Sequence, residues 1–304
     1  MGRCILITGG TGFIGSALIK ELACPENDIL VFIHKKKSCE HRIKSISSLN
    51  EIQSQTRIDA IINLAGAPIG KRWTKSYKRE LFESRIHVTE NILKLIDRLK
   101  HRPQLLINAS AVGYYGLQGE KMLDERSNST DAFTHRLCRA WESAASGARE
   151  RGVRLCIARL GIVLGKSGGI LKQMTLPFRW GLGGKLGRGD QYLSWIHIDD
   201  LIGAFQFFME RNDQEGIYNL TAPNPVTNLA FTTCLGKQLG RSTFLSIPSF
   251  FIKILLGQMG DALLLKGNRV LPQRLCHAGF SFRYPKLPRA LQNIYEEDPT
   301  DSME

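Results

Sequence analysis

The chain predicts an α/β fold in which a parallel sheet carries helices on both faces. Short apolar, β-branched runs alternate with helical-period segments through the first half. The first of those runs ends in glycines that open directly into a helix. The strands are read at Cys4–Thr8, Ile29–Ile33, Ala60–Leu64, Gln104–Ser110 and Arg154–Leu160. Helices fall between them at Ile14–Leu22, Thr74–Lys100 and Thr134–Arg151. Several of the strands are apolar along their whole length, as a sheet buried on both faces requires.

Beyond Gly165 the texture changes. Gly165–Gly189 is rich in glycine, with basic and aromatic residues between, and reads as a loop or lid. A strand-like run at Tyr192–Ile198 precedes a helix over Asp199–Glu210, helical stretches recur to the end, and Asp298–Glu304 reads as a frayed tail. The division expected is a nucleotide-binding domain over 1–165 with a return segment around 190–222. A smaller, mainly helical substrate lobe takes 166–189 and 223–298, including a C-terminal helical domain near 248–296, before a tail at 299–304.

Composition narrows the classes. With 43% hydrophobic and 23% charged residues the chain has the balance of a folded globule, not of a disordered one. No apolar run is long enough to span a bilayer. The first residues lead straight into a strand, so no signal peptide is expected. Seven scattered cysteines without a CxxC pair argue against a disulfide framework or a metal site and for reduced thiols in the cytoplasm. The net charge of +13 comes from dispersed clusters without a nucleic-acid-binding motif, so a surface that attracts anionic small molecules is expected, and neither nucleic acid nor membrane as a partner.

The most informative stretch is Ile5-Leu6-Ile7-Thr8-Gly9-Gly10-Thr11-Gly12-Phe13-Ile14-Gly15. A side chain at Gly9 or Gly12 would obstruct the tight turn or the approach of backbone amides to a pyrophosphate, and Gly15 lets the helix pack closely on the strand. The N–H groups of the following helix, with the positive end of its dipole, then face the phosphates. Gly9, Thr11, Gly12, Phe13, Ile14 and Gly15 are therefore the expected phosphate-binding residues of a Rossmann doubly wound sheet. The second strand runs into His34, Lys35, Lys36 and Lys37 with no acid. An acid there would accept the ribose 2′-hydroxyl of NAD, whereas lysines pair with a 2′-phosphate. The expected cofactor is NADP(H), with His34, Lys35 and Lys36 beside its adenosine end.

These residues resemble the extended short-chain dehydrogenase/reductase superfamily. Asp59 to Gly66 looks like the strand end beside the adenine and pyrophosphate, Ser110 to Gly116 like the active-site serine segment, and Arg159 to Gly165 and Trp195 to Asp200 like later markers. More narrowly, the chain is similar to the atypical epimerase-family subgroup, sometimes mislabelled as cell-division inhibitors, that ends in a small helical domain of unknown function. Gly267 to Leu275, Ala278 to Phe280 and Phe282 to Pro285 carry that likeness. The resemblance implies cofactor contacts from Leu64, Ala65, Gly66, Glu80, Arg85, Ser110, Arg159 and Val163, a small-molecule substrate and a possible homodimer. A solvated helix face explains Glu80 and Arg85 equally well.

The superfamily's reaction uses a tyrosine acid/base with a lysine four residues on. If Glu142 follows that pair as usual, its positions hold Thr134 and Cys138, and no YxxxK occurs around this helix. Ser110 remains to orient a carbonyl, and Tyr114 or Tyr115 to donate a proton, although one of them is expected to pack structurally. Cys138 and His197 read as structural groups at least as readily as reactive ones, Asp199 and Asp200 as helix caps, and Asp124 and Glu125 as a solvated loop. Lys166, Lys172 and Arg179 offer charge to an acidic substrate. Two functions follow: an NADP(H)-dependent oxidoreductase or epimerase without the usual acid/base pair, or a non-catalytic NADP(H)-binding sensor or scaffold.

Overall fold

A computed structural model of the protein describes residues 2–33 and 42–296. His34, Lys35, Lys36 and the tail expected at 298–304 lie outside the described residues. In chain order the first half runs β1 (Cys4–Thr8), α1 (Phe13–Leu22), β2 (Asp28–Phe32), β3 (Ile43–Ile46), β4 (Ala60–Asn63), α2 (Lys75–Arg98), β5 (Leu105–Ala111), β6 (Gly119–Leu123) and α3 (Phe133–Glu150). Then come β7 (Arg154–Leu160), β8 (Ile162–Leu164), α4 (Gly169–Arg179), β9 (Gly184–Leu186), β10 (Tyr192–Leu193), β11 (Trp195–His197), α5 (Ile198–Glu210) and β12 (Gly216–Leu220). The chain ends with β13 (Val226–Thr227), α6 (Asn228–Gln238), β14 (Leu245–Ile247), α7 (Ser249–Leu263), β15 (Asn268–Val270), α8 (Gln273–His277) and α9 (Leu287–Tyr295).

Two compact units share these elements. The first comprises residues 1–116, 129–159 and 202–218, and the second 117–128, 160–201 and 219–304. The central sheet is seven-stranded and parallel, in the order β12-β7-β5-β4-β1-β2-β3. The order reverses at β1, which pairs with β2 on one side and β4 on the other, and ligands bind such sheets beyond the strand ends at that point. Alternation decides the packing. Leu6, Ile61 and Leu106 point into a core with Ile92 and Ile96 of α2 and Ala145 and Ala148 of α3. Ile5, Ile7 and Ile62 are equally buried, so both faces are covered.

The sequence reading overlooked β3 because Ile43-Lys44-Ser45-Ile46 holds only two apolar residues. As the edge strand, paired with β2 alone, it has one neighbour and tolerates polar side chains.

In the second unit the stretch expected to be a lid is ordered structure. Leu171 and Phe178, seven residues apart, anchor α4 in a core with Phe231, Leu235, Leu287 and Leu291. Its glycines bound the helix instead of dissolving it: Gly168 is the N-cap and Gly181, at φ +75°, follows the C-terminus. Two carboxylates hold the C-terminal segment in this unit. Asp200 accepts the backbone N–H groups of Arg283 (2.7 Å) and Tyr284 (3.0 Å), and Glu125 accepts those of Asn219 (3.0 Å) and Arg274 (3.3 Å). Both carboxyls are pushed up from their ordinary range, chiefly by burial. Neither the helix cap expected of Asp200 nor the solvated loop expected of Glu125 describes them. Sequence distances of 83 and 149 residues hide such contacts from local pattern reading.

Asp200→Ala leaves two amides without their acceptor and is expected to cost about 2–4 kcal/mol. Urea denaturation measures it, and an unchanged midpoint contradicts the role assigned to this carboxylate.

Candidate functional site

The site in the first unit starts at the end of β1. Gly9 turns the chain at φ +71°, a conformation that a side chain disfavours, and its Cβ would lie 2.7 Å from the Leu64 carbonyl carbon and oxygen. The Gly12 N–H closes the turn on the Gly9 carbonyl at 3.0 Å, and the Ser16 N–H returns to the Gly12 carbonyl at 2.8 Å. A Cβ on Gly15 would stand 2.4 Å from that same Gly9 oxygen, so only glycine lets α1 begin so near the strand. Gly12 differs. Its φ of −76° suits any residue, and a Cβ there would meet only the Gly9 oxygen, at 3.3 Å. Gly12 is the N-cap of α1 and no side chain caps it, so the first-turn amides of Phe13, Ile14 and Gly15 are left to an external acceptor. Thr11 and Gly12 are exposed. This cradle fits a pyrophosphate: donors are present, competing caps are absent, and two of its glycines let the turn and the helix start lie close on the strand end.

Beneath the turn lies a fully buried polar chain that the sequence reading did not identify. Thr8 Oγ1 donates to Asn63 Oδ1 (2.6 Å) and accepts from the Ala65 N–H (3.3 Å). Asn63 Nδ2 donates to Asn108 Oδ1 (2.7 Å) and Thr89 Oγ1 (3.0 Å), and Thr89 also receives Trp141 Nε1 (3.2 Å). The ends of β1 and β4 and the middle of β5 are thereby tied to α2 and α3. The available signal was a polar residue closing each of two otherwise apolar strands and an asparagine set within a third.

Arg85 reaches over the loop after β4. Its guanidinium donates to the carbonyls of Leu81 (3.0 Å) and Ala67 (3.1 Å), and a Cβ on Gly66 would sit 2.9 Å from its Cζ. Burial lowers its pKa. Gly66 thus makes room for Arg85. Glu80, on the same helix, is exposed.

The third cluster surrounds Ser110. Its hydroxyl donates to Glu142 Oε1 at 2.6 Å. Arg159, only 1% exposed, pairs with both oxygens of Glu142 through Nε (2.9 Å) and Nη2 (2.8 Å) and donates from Nη1 to the Tyr115 hydroxyl (3.1 Å). Burial opposes the charge on Arg159, but the bonds to Glu142 prevail and raise its pKa. The Tyr114 ring stacks over the guanidinium, 3.3 Å from Cζ to the ring centroid. Tyr115 is fully buried, whereas Tyr114 is half-buried. Arg159 was expected beside a cofactor, yet its donors here are committed within the unit. Thr134 and Cys138 are buried nearby on α3, and burial pushes the Cys138 thiol up to about 11.

Val163 lies on β8 in the second unit, paired with Ile196. There too His197 accepts the Asp199 N–H at Nδ1 (3.1 Å) and stacks on Tyr284, and burial lowers its pKa. Among the described residues, no group of three or more His, Cys, Asp and Glu could hold a metal ion.

Comparison with known proteins bears on the family and the fold. The NAD dependent epimerase/dehydratase family matches residues 5–221, and a domain of unknown function (DUF1731) matches 247–294. An Arabidopsis thaliana protein described as epimerase family protein SDR39U1 homolog, chloroplastic, is 37% identical over 96% of this chain and 86% of its own length. Epimerase family protein Mb2239 of Mycobacterium bovis is 37% identical over 94% of this chain and 96% of its own. The crystal structure of human epimerase family protein SDR39U1 (isoform 2) with NADPH superimposes at a TM-score of 0.88, with 32% identity, covering 97% of this chain and 100% of that one.

Arg159→Met strands the Glu142 carboxylate in the interior and is expected to cost about 3–5 kcal/mol, while Arg159→Met combined with Glu142→Met recovers most of it. Denaturation of the three proteins checks this, and a double variant no better than the single one overturns it.

Proposed function

Because the chain belongs to the NAD dependent epimerase/dehydratase family, we propose that it binds NADP(H) at the turn after β1 and acts as an oxidoreductase or epimerase on a small molecule. The observation that carries the reading is the uncapped start of α1 against the Gly9 turn. Thr11, Gly12, Phe13, Ile14 and Gly15 hold the pyrophosphate, and Leu64, Ala65 and Gly66 border it. Glu80 and Arg85 serve from α2. His34, Lys35 and Lys36 receive the 2′-phosphate, a preference supported by the lysines in the sequence and by the NADPH in the human relative's structure.

Bound there, the nicotinamide supplies or accepts hydride at C4. Ser110 is the residue that orients the reacting oxygen, by turning to it the hydroxyl proton that Glu142 otherwise accepts, and Arg159 fixes Glu142. Tyr114, less buried than Tyr115, is the better-exposed hydroxyl for proton transfer.

One feature favours a second reading, a non-catalytic NADP(H)-binding sensor or scaffold. The positions of the usual tyrosine and lysine hold Thr134 and Cys138, both buried, and Cys138 with its thiol pushed up to about 11 supplies no positive charge. Turnover separates the two. NADPH oxidation by members of an aldehyde and ketone panel, lost in Ser110→Ala, supports the enzyme, and tight binding without oxidation across the panel supports the sensor.

Gly12→Val tests the cofactor assignment apart from folding, since the backbone there accepts a side chain. Calorimetry is expected to show NADPH affinity weakened by about 100-fold or more, with the urea midpoint retained. Unchanged affinity overturns the assignment.

A further inference from the structure

In the second unit, large apolar side chains stand in solvent on two neighbouring segments. Leu176, Trp180 and Leu182 follow one another along and after α4, and Trp180 is 69% exposed. Phe244, Ile247, Phe250, Phe251, Ile254 and Leu255 run from β14 into α7, with Phe244 at 82% and Leu255 at 69%. Strands β9 and β14 join the two segments in parallel, with Gly184 opposite Leu245 and Leu186 opposite Ile247. Leu182 and Phe244 therefore stand at the same end of the pair, just ahead of their strands. At the other end Pro248 turns the chain into α7, whose regular winding breaks at Gly257 (φ +59°), so its exposed apolar residues belong to the first two turns. Of residues 249–256 only Ile252 is fully buried. A soluble monomer rarely shows so many large apolar groups together without a binding role.

Charge identifies the occupant. Residues 161–189 and 239–260, which carry all nine of these side chains, contain Lys166, Lys172, Arg179, Lys185, Arg188, Arg241 and Lys253 and not one Asp or Glu. The nearest acids in sequence, Asp190 and Asp261, pair with Arg188 and Lys253 from outside these segments. A second copy meeting this face with its own would set like charges against like, which disfavours a two-fold dimer built here. Aromatic and aliphatic groups with an excess of basic residues match a lipid interface instead, where the apolar groups enter the acyl boundary and the unpaired excess of cations meets anionic headgroups. No helix among the described residues is long and apolar enough to cross a membrane, and resting on a surface needs none.

We propose that the face formed by the end of α4, β14 and the first turns of α7 docks the protein on an anionic lipid bilayer. The apolar groups supply depth, and Lys172, Arg179, Lys185 and Arg241 select the charge.

The test is co-sedimentation of the full chain with vesicles of phosphatidylcholine, alone or with about 30% phosphatidylglycerol. Binding is expected to the anionic vesicles and not to the neutral ones, and to weaken as salt rises from about 50 to about 500 mM. Phe250→Ser with Leu255→Ser, at exposed positions that leave folding intact, is expected to weaken it by about tenfold or more. Lys185→Glu with Arg241→Glu should abolish the preference for the anionic lipid. NADPH affinity stays unchanged in both pairs, which separates this result from failure of the cofactor assignment. No sedimentation with anionic vesicles at low salt overturns the proposal, as does a dimer in solution that the Phe250→Ser, Leu255→Ser pair dissolves.

Discussion

The carbonyl oxygen of Gly9 governs the geometry of the nucleotide-binding unit. It accepts the Gly12 N–H at 3.0 Å and stands 2.4 Å from any Cβ placed on Gly15. Helix α1 can begin this close to β1 only because that Cβ is missing. The closeness brings its first-turn amides to the strand end, where the sheet order reverses. Thr8, one residue earlier, holds the same strand end from below by donating to Asn63. The turn is thus fixed from above by backbone and from below by a buried hydroxyl, so its amides need little reorganisation to meet an anion.

The chemistry beside it rests on a different economy. A buried arginine is tolerable only with its charge matched, and Glu142 matches Arg159 through two hydrogen bonds. Ser110 and Tyr115 fill the remaining valences of the pair, and Tyr114 covers the guanidinium face. Three side chains of the serine segment are consequently oriented by one ion pair. This arrangement keeps its positive charge on Arg159, bound to a carboxylate, while Cys138 of α3 supplies none.

Local pattern made the nucleotide half legible. The strands of the sheet core fall within a residue or two of their expected limits, because apolar runs of this length admit little else between helices. The glycine turn was readable for the same reason, since its spacing encodes backbone conformation directly. What escaped was non-local. The Arg159–Glu142 pair joins residues 17 apart on a strand and a helix, the Thr8–Asn63 bond spans 55, and the Asp200 contacts span 83 and 84. A carboxylate in a sequence looks the same whether it caps its own helix or anchors a distant segment, and only the packed chain distinguishes them. The glycine-rich stretch after Gly165 misled in the opposite sense. Its glycines suggested a loop, but Leu171 and Phe178 at helical spacing already marked the buried face of α4.

These internal uses of carboxylates bear on the outside of the molecule. Glu142, Asp200 and Glu125 are turned inward to hold Arg159 and four backbone amides, so three of the 28 acidic residues contribute little to the surface field. Arg159 and Arg85 are withdrawn likewise, so the surface keeps the basic sign of the formal +13. Such a field gathers anions of any kind near the protein and falls with ionic strength. Specificity has to come from what the field cannot supply: oriented amides at the start of α1 for a phosphate, and apolar area beside the charges of α4 and α7 for a surface. The basic excess sets how readily anions arrive, and the local geometry of each unit decides which of them stay.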